Sequence, residues 1–222
     1  ILLVHGINSD DSMWDTMETE LENDGYNVFR VGDVLNQTGL IPNNGNIKSL
    51  AYQVFRALQQ VETVTGVKRV DIVAHSQGGL ESRYYIQKRS FFGDDVRKLI
   101  MINTPNHGSD TVLLRKSATN VITVVISIVA GLNPASGKIV KNTLQNIIDN
   151  LIGTSALQME PHSVFLAELN ANIYSAIHGS WPLQFPRYDT FPPPPPNVFY
   201  YNIEGTGWPT VVHTPVVINV PL

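Results

Sequence analysis

The sequence predicts an α/β fold: a mostly parallel sheet with helices on both faces and a helical insertion late in the chain. Three observations predict it. Strand-like apolar runs alternate with helix-like periodicity through the first half of the chain, the pattern of a sheet covered on both sides. A short AHSQG sequence, Ala74 to Gly78, follows the strand-like run RVDIV and opens into the helix-like stretch GLESRYYIQKR. The chain has 222 residues, 43% of them hydrophobic and 15% charged, which suffices for one substantial core.

In chain order, ILLV is an apolar strand that runs into a turn at Gly6. Asp11 or Ser12 can cap a helix that carries Trp14, Met17 and Leu21 on one face and stops at Gly25. YNVFRVG is the next strand. Asn46 can cap a longer helix with Ile47, Leu50, Ala51, Val54, Leu58 and Val61 at core-facing spacing, ending near Gly66. RVDIVAHS is a strand, Gly78 to Arg89 its helix, and KLIMINTP the strand beyond. These four strands are expected side by side and parallel, with the AHSQG turn at their carboxyl ends, where open α/β sheets place ligands.

After Ser109 the alternation is lost, and the interval is too long for a simple connection. The organisation is therefore read as a core over residues 1–109, a helical cap or lid insertion over 110–190, and a return to the core sheet over 191–222. Within the insertion, NVITVVISIVAGL is apolar all round but too short to span a bilayer. KIVKNTLQNIIDNLIG is amphipathic, with Ile139, Val140, Leu144, Ile147, Ile148 and Leu151 on one face. It is either a cap packed over the sheet or a lid whose apolar underside meets substrate and, when open, a lipid surface. The proline run Pro192 to Pro196 is read as a stiff connector into the strand VFYYNI.

The strand, tight turn and helix around Ser76 are the context that a G-x-S-x-G nucleophile elbow requires. Small residues at Ala74 and Gly78 let strand and helix approach and hold the serine in a strained backbone, with its hydroxyl exposed. Ser76 is the candidate nucleophile; the plainer alternative is a serine capping the following helix. In hydrolases built this way the amide after the nucleophile and one from an upstream glycine turn hold the oxyanion, here Gln77 and Ile7.

VHGIN, Trp14, AHSQGG and NTPNHGS resemble the lipase branch of the α/β-hydrolase family, and the alanine opening the elbow is similar to its bacterial AHSxG members. LQMEPHSVFLAELN resembles a further segment of these lipases, with His162 where many have glycine. YYNIEGTGWPT resembles the strand and turn that precede the catalytic acid in the branch that includes phospholipid acyltransferases. The resemblance implies an α/β-hydrolase fold and acyl transfer through Ser76 on an ester that is lipid-like, without metal or organic cofactor. It also points to a secreted or membrane-associated setting, the compartment itself staying open.

An activated serine needs a base and an orienting acid. His5 and His75 sit in motif positions at strand ends, and the resemblance gives them structural roles. His107 reads as a turn residue, and His162 and His178 as surface residues of the insertion. Glu204 and His213 are the formal pair within the chain, in the serine, acid, histidine order of this fold. The preferred expectation places both roles beyond Leu222. The chain starts at Ile1 inside a core strand and stops in the apolar run TPVVINVPL, so it is expected to be truncated at both ends.

With 15 Lys and Arg against 19 Asp and Glu and no basic run, the chain lacks the electrostatic footprint of a nucleic-acid binder. It has no cysteine, which excludes disulfides and thiol catalysis. Three functions remain: a lipase or carboxylesterase, an acyltransferase of the same fold, or a non-catalytic relative that binds lipid or a partner.

Overall fold

The structure is a computed structural model that describes residues 1–36, 43–88, 95–109, 153–170 and 198–203. Among these residues, five strands form one sheet: β1 (Leu2–Val4), β2 (Phe29–Arg30), β3 (Val70–His75), β4 (Val96–Ile102) and β5 (Phe199–Ile203). The order is β2-β1-β3-β4-β5 and every pair is parallel. The helices are α1 (Asp15–Asn23), α2 (Val31–Val34), α3 (Ile47–Thr65), α4 (Gln77–Lys88) and α5 (Val164–Asn170), with a helical turn over residues 153–158.

Side chains alternate across the strands, and both faces are buried. On one face Leu2, Val4, Ile72, Ala74, Leu99 and Met101 pack with α3 and α4. On the other, Leu3 and Val73 pack with Trp14, and Met17 and Leu21 of α1 join them. The α3 positions at helical spacing, Ile47, Leu50, Ala51, Val54, Leu58 and Val61, are all buried. Asn46 caps α3 by accepting from the Lys48 amide at 2.9 Å, and Gly66 ends it at φ +72°, a left-handed conformation suited to glycine.

Two local expectations are corrected. The cap of the first helical segment is Asp10, whose side chain accepts from Ser12 N and starts a 3-10 turn over Asp11–Trp14 before α1. Asp11 instead accepts from the Asp33 amide at 3.0 Å. That contact belongs to the second correction: YNVFRVG is not a full strand. Pairing stops after Arg30 and the chain coils into α2, with Val31 and Gly32 buried. Among the described residues β2 is the edge strand with one neighbour, β1, so tertiary contacts outweigh its β-pattern.

The return to the sheet is β5, paired with β4 from Lys98↔Phe199 to Ile102↔Ile203. Residues 153–170 fold against α3 and α4, where Ala156, Met159, Phe165, Leu166 and Leu169 form a cluster with Ile47 and Leu80. No helix among the described residues is long and apolar enough to cross a membrane. The insertion helices expected within 110–152, His178, the proline run, Glu204, the 205–210 turn and His213 lie outside the described residues.

Candidate active site

The strand order fixes where a site can form. From β1 the chain moves to β2 on one side, and from β3 to β4 and β5 on the other, so the order reverses between β1 and β3. Helices leave such a sheet in opposite directions at this point and open a crevice at the carboxyl ends of the two strands. Gly6 follows β1 there, and Ser76 follows β3.

Ser76 occupies a tight turn between β3 and α4 with φ +52°, a left-handed backbone that costs a non-glycine residue about 1–2 kcal/mol. It is held there by its neighbours. Its amide donates to the Ile102 carbonyl at 2.9 Å, and its carbonyl accepts from the Gly79 amide at 3.1 Å, which starts α4. A Cβ at Gly78 would stand 2.6 Å from the carbonyl oxygens of both Val4 and His5, so only glycine lets α4 start this close to β1.

The first turn presses equally hard on the serine. A Cβ at Gly6 would lie 2.8 Å from the Ser76 Cβ and 3.3 Å from its Oγ. His5 Nδ1 donates to the Gly6 carbonyl at 3.0 Å. Since a trans peptide points its C=O and N–H in opposite directions, this bond turns the Ile7 amide away from His5. Gln77 is the first residue of α4, so its N–H lacks an intrahelical acceptor and sits at the positive end of the helix. Ser76, Gly6–Ile7 and Gln77 thus lie together at the carboxyl ends of β1 and β3. None of the described residues hydrogen bonds to Ser76 Oγ.

Of the histidines, His75 packs edge-on against Trp14 with centroids 6.5 Å apart. Burial lowers its pKa below the ordinary imidazole value, so it is neutral at pH 7. His107 lies in the turn after β4 and is half-buried. His162 takes φ +64°, which explains in backbone terms why glycine suits that position. Among the described residues no group of three or more His, Asp or Glu side chains is placed to hold a metal ion.

Two buried polar clusters beneath the site escape sequence reasoning. In the first, Gln77 Nε2 donates to Glu81 Oε1 at 2.8 Å and to the Asn43 carbonyl at 2.6 Å, and Asn43 Nδ2 donates to Glu81 Oε1 at 2.8 Å. Burial pushes the Glu81 carboxyl up to about 8, against the opposing effect of its two donors. In the second, Arg83 is fully buried and donates to Asn106 Oδ1 at 2.8 Å and Asn170 Oδ1 at 2.9 Å, while Asn170 Nδ2 donates to the Asn106 carbonyl at 2.7 Å. Burial lowers the guanidinium to about 10, still cationic at neutral pH. The available signal was two ionisable residues two apart on a helix packed on both sides.

Comparison with known proteins agrees with this architecture. Residues 46–189 match the family described as Domain of unknown function (DUF7379). A triacylglycerol lipase of Pseudarthrobacter phenanthrenivorans is 29% identical over 116 residues, 50% of this chain and 34% of that protein. A triacylglycerol lipase of Burkholderia plantarii is also 29% identical over 116 residues, 50% of this chain and 30% of that protein. The chain thus spans about a third of the length of these curated relatives. Phospholipase PlaB from Legionella pneumophila superposes with a TM-score of 0.52 at 15% identity, over 93% of this chain and 38% of that one, a likeness of fold. The family match takes in well over half of the sequence, so the chain belongs to the DUF7379 family; its fold is of the α/β-hydrolase type, and half of it is similar in sequence to triacylglycerol lipases.

Proposed function

We propose that the protein is a serine hydrolase of the lipase/esterase type, acting on an acyl ester through a covalent intermediate on Ser76. The observation that carries the reading is the strained Ser76 backbone, φ +52°, pinned between β3 and α4 with the Gly6 turn against its side chain. A plain helix cap needs no left-handed backbone, since a cap residue is ordinarily extended.

Ser76 Oγ attacks the ester carbonyl carbon as a base takes its proton, and the carbonyl oxygen becomes an oxyanion. The amides of Ile7 and Gln77 hold that charge, reinforced by the positive end of α4. On collapse the ester C–O bond breaks and the protonated base returns its proton to the leaving oxygen, so the alcohol departs and an acyl-serine remains; the freed base then takes a proton from water as it attacks the acyl carbon, and returns it to Ser76 Oγ as the acid is released. Ile7 also packs against the apolar cluster of α5 and residues 156–159, which supports an alkyl-bearing acyl group. In this reading residues 110–190 form an insertion between β4 and β5 that contacts substrate or a lipid surface. Its anchor is the pairing of the Ser109 amide with the Met159 carbonyl at 2.9 Å. Hydrolysis is preferred over transfer to an alcohol because both curated relatives are named as lipases.

The test is labelling of the full-length protein with a fluorophosphonate, with peptide mapping by mass spectrometry and turnover of p-nitrophenyl esters from butyrate to palmitate. Ser76 is expected to carry the label, and Ser76→Ala to lower kcat about 10⁴-fold or more. No labelling, or label on another residue, would overturn the reading. The same assay on Glu204→Ala and His213→Ala assigns acid and base within the chain if both lose activity. Wild-type rates in both would remove Glu204 and His213 from these roles.

A further inference from the structure

We propose that Glu81 is a positioning residue of the elbow, its carboxyl oxygen gathering Gln77 and Asn43 so that the first turn of α4 holds the Gln77 amide in place beside Ser76. The inference rests on the proposed role of Ser76 and goes one layer deeper than it.

The cluster is closed and buried. Gln77, Glu81 and Asn43 are 0%, 3% and 7% exposed. One atom, Glu81 Oε1, accepts from two side-chain amides that come from different parts of the chain. Gln77 spends a single nitrogen on two acceptors, Glu81 Oε1 and the Asn43 carbonyl, while its own buried Oε1 has no partner among the described residues. Among the described residues, its amide group is therefore set by Glu81 and Asn43.

A carboxyl group in this place is costly, because burial strips its water, and a leucine of similar volume would fill the space without that cost. What leucine could not do is accept two N–H bonds. Glu81 lies one helical turn beyond Gln77, on the same face of α4, so tethering the Gln77 side chain also restrains its backbone, one residue from Ser76. Asn43 carries the restraint outward: the neighbouring Asn44 carbonyl accepts from the Ser155 amide at 3.2 Å. The knot thus ties the elbow to the segment that packs behind it.

The experiment compares wild type, Glu81→Gln and Glu81→Leu in the full-length protein. It reads the second-order rate of Ser76 labelling by a fluorophosphonate, kcat and KM on p-nitrophenyl butyrate, and the melting temperature. Glutamine keeps a side-chain oxygen at the same reach, and is expected to stay within about threefold of wild type, whereas leucine lowers labelling rate and kcat about 30-fold with KM little changed. Equal losses in both variants, or wild-type rates in Glu81→Leu, would overturn the positioning role while leaving Ser76 as nucleophile. Absence of labelling in the wild type would overturn both. Should Glu81→Leu not fold, Gln77→Leu makes the same comparison, since it keeps the backbone amide and removes the tether. A loss of similar size supports the role, and wild-type rates overturn it.

Discussion

Gly6 and Ser76 touch through the space a side chain would need: a Cβ on Gly6 would stand 2.8 Å from the Ser76 Cβ and 3.2 Å from the His75 carbonyl oxygen. Two turns from neighbouring strands of the sheet, residues 6–9 and 75–77, share this contact, and neither can shift without the other. Ser76 is therefore held in its left-handed backbone by its own turn and also by the one beside it.

This contact makes Gly6→Ala a sharp test. The methyl group must push the residue 6–9 turn away from the elbow, which moves the Ile7 amide relative to Ser76 Oγ. Since loss of one oxyanion donor costs about 10²–10³ in kcat, a loss of about 10² is expected for ester turnover. Gly6 is buried, but Asn8 in the same turn is exposed, so the turn can give outward and the folded state should survive with a cost of about 1–3 kcal/mol. Wild-type turnover in Gly6→Ala, measured beside its urea unfolding curve, would show that the contact does not position the donor.

Glu81 makes stability depend on pH with a definite sign. Its folded carboxyl titrates at about 8 against an ordinary 4.5, so between these values the folded state holds a proton that the unfolded chain has released. Folding stability from this group is complete below about 4.5 and falls as pH rises, by up to about 1.4 kcal/mol per pH unit. Urea unfolding at pH 5 and pH 8 should show wild type losing about 2–4 kcal/mol more than Glu81→Gln over that interval. Equal losses in the two proteins would mean that Glu81 is ionised throughout.

Local pattern carried much of the fold into the sequence, and long-range pairing carried little. Asn46, the buried stripe of α3 and Gly66 could be read because a cap, a helical period and a left-handed stop lie within one segment. Ser76 could be read because strand, turn and helix are contiguous there. The β2 region misled, since alternation in YNVFRVG says nothing of whether a second neighbour exists to extend the strand. Glu81 with Asn43 and Arg83 with Asn170 were invisible for a different reason: the partners lie 38 and 87 residues apart. No periodicity connects them.

Arg83 offers a third test, because its two asparagine partners come from the turn after β4 and from the end of α5. In a fully buried guanidinium, removing one acceptor leaves an N–H of a charged group short of a partner rather than simply deleting a bond. Asn170→Ala is therefore expected to cost about 2–3 kcal/mol, a hydrogen bond to a charged group plus the lost packing of α5 on α4. Arg83→Met keeps much of the volume and removes the charge, so Asn170→Ala introduced into Arg83→Met should cost at least about 1 kcal/mol less than in the wild type. The cycle is read from the urea midpoints of the four proteins. Additive costs would mean that Asn170 serves α5 alone, and that the buried cation is held by its other contacts.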